Sequence, residues 1–192
     1  MLGRLREVAA SMGESGGTLS GTIEADETYV GGKEKNKHSN KRSNSGRGTS
    51  GKQPVAGLQE RLGRVKTMMV EDTSKAELQS FVRENVADGS TLYTDEHPSY
   101  NGLSEYTHES VNHSGGEYVR GNVHINGLES FWSMFKRGHY GVFHHFTLKH
   151  LNRYLAEFEM RWNMRTSAQT QRLDTMLGAV SGLRLTYANL TK

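Results

Sequence analysis

Three carboxylates in three separate stretches are of the type that phosphodiester chemistry needs: Asp26 in "GTIEADETYVGG", Asp95 in "STLYTDEHPSY" and Glu129 in "HINGLESFWSMFKRG". They are 69 residues apart (26 to 95) and 34 apart (95 to 129), so only folding brings them together. Mg²⁺ and Mn²⁺ take hard oxygen ligands, and carboxylates on different rigid elements can hold two such ions across one phosphodiester. Two ions so held stabilise both the attacking and the leaving oxygen of an in-line displacement. Composition alone does not separate these acids from the 21 Asp and Glu residues of the chain. Asp26 and Glu129 read equally well as solvated charges, and Asp95 as the opener of a turn before Pro98. Glu24, Glu27 and Glu96 are close rivals, and Glu24 shares the strand face of Asp26.

Each acid belongs to an element with its own pattern. Ile23, Ala25 and Tyr29 alternate with Glu24, Asp26 and Thr28, which predicts a half-buried strand ended by Gly31 and Gly32. Ile125, Leu128, Trp132 and Phe135 step by three and four, the apolar face of a helix; Asn126, Glu129, Ser133 and Lys136 form a polar stripe beside it. Asp26 in a half-buried strand and Glu129 at the edge of an apolar stripe are what favour chemistry over solvation. "PVAGLQE" and "RVKTMMVED" read as a hairpin turning at "RLGR". Ser74 and Glu77 stand in capping-box spacing ahead of a helix with Leu78, Phe81, Val82 and Val86 on one side. "STLYTDE" predicts a strand stopped by Pro98, and "YTHESVNH" another. A long helix follows with Leu148, Leu151, Leu155, Phe158 and Trp162 in step, then a weaker one over roughly 170 to 181. A hairpin start followed by a helical crossover implies an α/β mixed sheet with helices packed on it.

The 192-residue chain is long enough for one domain with a proper core. Its formal charge is only +3, but the pI is about 9.1 and the cations are unevenly placed, which makes a polyanion a plausible partner. Positions 31–54 have almost nothing to bury: Lys33, Lys35, Lys37, Lys41, Arg42, Arg47 and Lys52 face the single acid Glu34. The loop reads as a flexible basic segment whose binding to phosphates would weaken steeply with salt; an idle solvated loop is the alternative. The chain has no cysteine, and the spacing of its nine histidines fits no zinc pattern. No apolar run reaches the roughly 18 residues of a membrane span, and the start is not a signal peptide. A bacterial cytoplasmic location is the expectation.

"EADETYVGGK", "YTDEHPSY" and "HINGLESFWSMFKRGHYGVFHH", in that order and followed by a long helix, resemble the DDE transposase domain of bacterial insertion sequences, in its ISXO-like branch. The resemblance covers roughly positions 18 to 165. It implies a ribonuclease H-like fold, a mixed five-stranded sheet flanked by helices with the acids meeting at its edge. Matched residue by residue, it makes Asp26, Asp95 and Glu129 the ligands of two Mg²⁺ (or Mn²⁺) ions. Asn126, one turn before the glutamate, and the lysine of the last motif, Lys136, join them as catalytic candidates. The implied activity is DNA strand cleavage and strand transfer: water, then the freed 3′-hydroxyl, attacks phosphodiesters without a covalent protein intermediate. Two alternatives stay open, a catalytically silent DNA-binding remnant and a ribonuclease H-like nuclease without strand transfer.

The candidate DNA contacts are Lys33, Lys35, Lys37, Lys41, Arg42 and Lys52 in the loop, His97 and His124 inside the motifs, and Lys136 with Arg137 at the helix end. A Lys–Arg pair there also answers the helix dipole before Gly138. Trp132, Phe158 and Trp162 fall on apolar stripes and are expected in the core. The family branch usually begins with a zinc ribbon and a helix-turn-helix region, which this sequence is expected to lack. Residues 1–17 accordingly read as an N-terminal remnant or linker, 18–165 as the catalytic domain and 166–192 as a helical tail. Leu173, Met176, Leu177 and Val180 of that tail could cover the sheet or a neighbouring subunit, and homo-oligomerisation on DNA is expected.

Overall fold

The computed structural model describes residues 2–14, 17–32, 38, 40, 49, 51–112, 119–144, 146–180 and 186. The predicted strands are present: β1 (Thr22–Val30), β2 (Gln53–Glu60), β3 (Val65–Met69), β4 (Thr91–Thr94) and β5 (Thr107–Ser110). The helices are α1 (Leu2–Glu14), α2 (Lys75–Asn85), α3 (Asn126–Arg137), α4 (Leu151–Asn163) and α5 (Gln169–Val180). The sheet order is β3-β2-β1-β4-β5, with β1, β2 and β3 antiparallel and β4 and β5 added in parallel. This is the mixed, helix-flanked five-stranded sheet that the resemblance implied, and it is consistent with a ribonuclease H-like domain. The parallel β1–β4 pairing requires a crossover, and α2 supplies it. No helix among the described residues is long and apolar enough to cross a membrane.

Each face of the sheet has its own core. Ile23 and Ala25 point toward α2, where Leu78, Phe81, Val82, Leu92 and Tyr100 close around them. Val30, Val55 and Val65 meet α3 and α4 through Leu128, Phe131, Trp132, Phe135, Leu155 and Phe158. Each large apolar side chain so enclosed contributes roughly 1.5–3 kcal/mol. Trp132 and Phe158 are core residues as expected, and Trp162 packs against the same cluster partly buried. Phe131, off the predicted stripe, is fully buried as well, so the apolar face of α3 is broader than its stepping suggested.

Ser74 caps α2 by accepting from the Glu77 amide, one half of the predicted capping box. The other half is replaced, because the Ser74 amide donates to Asp72 Oδ1 at 2.8 Å. α4 begins at Leu151, after a short 3₁₀ turn that leaves Leu148 exposed, so Leu148 drops out of the predicted stripe. α1 packs on α4 with Val8 and Ala9 buried, and Arg6 donates to Glu157 at 2.7 Å while stacking on the Tyr154 ring.

Two glycines set how closely helices approach the site. A Cβ at Gly57 of β2 would lie 2.5 Å from the Trp132 ring, and one at Gly138 would lie 2.2 Å from the Phe158 ring. Gly57 is the register partner of Asp26. The bare backbone beside Asp26 therefore lets α3 settle onto the sheet.

Candidate active site at the ends of β1 and β4

The parallel register of β1 and β4 pairs Thr22 with Thr91, Ile23 with Leu92 and Glu24 with Tyr93, a constant offset of 69. Asp26 and Asp95 are separated by the same 69 positions, so the register continued past its last pair leads from one toward the other, and their charges interact. Asp95 is the first residue beyond β4, and its Oδ1 accepts the His97 amide at 2.9 Å. The carboxylate thus sits in a tight turn rather than in the ladder. Glu129 lies exposed in the first turn of α3, the helix that crosses β1 and β2.

Electrostatics ties the three together. Burial pushes the Asp26 carboxyl up to about 8, and the negative charges of Glu27, Asp95 and Glu129 push it the same way. One carboxyl that feels both others belongs to a shared anionic neighbourhood. Among the described residues, no group of three or more His, Cys, Asp or Glu side chains is gathered tightly enough to hold a metal ion. The acids interact through their charges without their side chains closing into a coordination shell. Their chemistry fits hard divalent cations nonetheless: all the donors are carboxylate oxygens, and their mutual repulsion is what a bound cation relieves.

Lys136 is exposed two turns along α3 from Glu129. Partial burial and the nearby Lys52 lower its ammonium, while Asp26 pulls it back up, so Lys52, Lys136 and Asp26 are neighbours. Arg137 is exposed at the end of α3. Asn126 is exposed as the first residue of α3, and it lines a cleft together with Glu24, Gln59, Arg61 and His124. Lys33, Lys35, Lys37, Lys41 and Arg42 lie outside the described residues.

The rivals sort by partner. Glu24, 1 % exposed, accepts the Leu128 amide at 3.0 Å and Arg61 Nη2 at 3.3 Å. It caps α3 from a neighbouring strand, since Ile125 offers no side-chain cap. His124 Nδ1 lies 3.6 Å from the same carboxylate. Glu27 points to the opposite face of β1 and accepts from Tyr100. Glu96 is exposed. Sequence reading weighed Glu27 only as a rival ligand and passed over Tyr100 altogether. The available signal was an acid on the Ile23–Ala25–Tyr29 face of a strand, where an unpaired charge is too costly to leave.

The ISXO2-like transposase domain matches residues 18–163 of the chain. The chain belongs to the ISXO2-like transposase family. It is 36% identical over 102 residues to an uncharacterized transposase-like protein of Haemophilus influenzae, a match covering 52% of this chain and 81% of the relative. It is 32% identical over 174 residues to an uncharacterized protein in transposable element ISH50 of Halobacterium salinarum, covering 83% of this chain and 58% of that relative. The chain therefore spans little more than half the length of the second relative. Membership of this family implies DNA as the partner and a place in a mobile element.

Proposed function

We propose that the domain cleaves and joins DNA strands in the movement of an insertion sequence, with Asp26, Asp95 and Glu129 as ligands of two Mg²⁺ or Mn²⁺ ions. The observation that supports this reading is that the charges of both Asp95 and Glu129 act on Asp26, in keeping with the offset of 69 that Asp26 and Asp95 share with the β1–β4 register. Ions bound there would supply Lewis-acid stabilisation of the attacking and leaving oxygens.

The remaining residues bind and orient. Lys136, beside Asp26, holds a phosphate of the scissile strand, and Lys52 extends that contact toward the basic segment 31–54. Asn126 flanks the strand at the other end of the polar stripe, and Arg137 adds a backbone contact past Lys136. In the first step a water oxygen bonds to phosphorus and the 3′ oxygen leaves, taking a proton to become a hydroxyl. In the second that 3′-hydroxyl attacks a target phosphodiester, releasing a new 3′-hydroxyl, so the number of phosphodiester bonds is conserved. The catalytic unit is residues 18–165. The tail presents Leu173, Leu177 and Val180 to solvent, a surface suited to self-association on paired ends.

The deciding experiment is Mg²⁺-dependent nicking and strand transfer on element-end DNA. Asp95→Asn is expected to abolish both; activity surviving this change sinks the assignment. Nicking without joining would identify a nuclease, and salt-sensitive binding without nicking would identify a silent DNA-binding domain.

A further inference from the structure

Asp95 has a weakness that Asp26 does not share. Asp26 lies inside β1, paired with Gly57 of β2, whereas Asp95 lies past the last residue of β4 in a turn. A carboxylate on a turn needs other supports if it is to stay within the few tenths of an ångström that a metal site tolerates.

The supports come from β1 itself. Glu27, adjacent to Asp26 in sequence, sends its side chain to the opposite face, where it is 8% exposed. Its two oxygens engage two different residues of the Asp95 turn. Oε2 accepts from the Tyr100 hydroxyl at 3.2 Å, and Oε1 lies 3.6 Å from His97 Nε2. His97 Nδ1 accepts the Ser99 amide at 3.3 Å, which assigns the ring proton to Nε2, facing Glu27. The backbone amide of the same His97 donates to Asp95 Oδ1. From the far side, Gln79 of α2 donates to the carbonyls of Ser99 and Asn101 at 3.0 and 2.9 Å, and the Ser99 hydroxyl donates to the Thr73 carbonyl at 2.7 Å. Burial, together with the Glu27, Asp26 and Asp95 charges, holds the Tyr100 phenol well above its ordinary value, so it remains a donor.

We infer that Glu27, through Tyr100 and His97, is a positioning residue that fixes the Asp95 turn against β1 and so sets where the Asp95 carboxylate stands relative to Asp26. The inference rests on the proposed metal role of Asp26 and Asp95. Glu27 is not itself a ligand, because both its oxygens are directed at the turn on the other face of the strand. Partners of this kind behind a metal ligand typically govern affinity by about 10- to 100-fold.

The test uses Glu27→Gln and Tyr100→Phe in the full chain, the second removing a single hydroxyl. Three quantities are read: Mn²⁺ Kd on DNA-free protein by electron paramagnetic resonance, the Mn²⁺ concentration for half-maximal nicking, and Tm. Both variants are expected to raise the first two about tenfold. Nicking at saturating Mn²⁺ should return to near the wild-type rate, while Asp26→Asn stays inactive at every concentration. Unchanged Mn²⁺ affinity in both variants, whether or not Tm falls, overturns the inference. So does a Glu27→Gln protein that saturating Mn²⁺ cannot rescue, since that would make Glu27 a ligand. Wild-type protein that neither binds Mn²⁺ nor nicks DNA defeats the proposed function and this inference with it. Wild-type protein that does both while the variants match its Kd defeats this inference alone.

Discussion

Glu24 and Asp26 stand two residues apart on the same face of the same strand, yet their surroundings are opposite. Glu24 is almost fully enclosed and answered by donors, the Leu128 amide and Arg61. Asp26 is half-buried, and burial together with the charges of Glu27, Asp95 and Glu129 raises its carboxyl, with the Lys136 ammonium as a neighbouring cation. A buried acid with partners holds a fold together, here by capping α3. An acid crowded by like charges costs the fold stability and is retained for what it binds. Under the proposed function, the contrast sets a structural carboxylate apart from a proposed metal ligand where residue type and strand face could not.

The sharpest way to break the comparison is to neutralise each acid. Asp26→Asn should abolish metal-dependent nicking while leaving the fold intact, and it should raise Tm. The folded carboxyl is raised from 3.8 to about 8, so ionising it costs stability that accumulates as pH climbs between those values. The Tm advantage of Asp26→Asn should therefore be absent near pH 4 and full above pH 8, which thermal melts across that range would show. Glu24→Ala should do the reverse, removing roughly 1–3 kcal/mol of stability by stranding the Leu128 amide and Arg61. Chemical denaturation would measure that loss, and a Glu24→Ala protein as stable as wild type would void the structural reading.

Smaller effects sharpen the picture. Gly57→Ala should cost about 1–3 kcal/mol by pressing a methyl into the Trp132 ring, and should slow nicking by moving α3 and Glu129 with it. Lys136→Ala should weaken DNA binding uniformly across sequences and lower the salt slope by about one, read from binding isotherms over a salt series. Last, Glu159 on α4 accepts both the amide and hydroxyl of Thr67, and burial raises it to about 7. Its folded value again exceeds the ordinary 4.5, so stability should fall as pH rises from there to 7. Glu159→Gln should flatten that part of the Tm profile by a few degrees without altering nicking.

Much of this architecture was legible in the chain. Alternation around Ala25 marks β1, the three-and-four stepping of Leu128, Trp132 and Phe135 marks α3, and Ser74 marks the start of α2, because strand pleat, helix period and capping are local consequences of residue type. Leu148 misled because a 3₁₀ turn precedes α4, and a stepping pattern does not register where a helix starts. Phe131 was missed because a helix lodged between a sheet and α4 buries more than one stripe. The capping role of Glu24 was invisible because its partner lies 104 residues away.

By itself, the sequence determined the elements, their order, the family, and a short set of acids from which the site had to be drawn. Only the tertiary structure gave those acids different surroundings. Glu24, Asp26 and Glu27 are near-equivalent as residues, but strand pairing, the register offset and the seating of α3 gave one a helix to cap, one a turn to hold and one the company of Asp95 and Glu129. The physical reason is that a carboxylate's role follows from the charges and donors within a few ångströms of it, and those arrive from strands and helices far away along the chain.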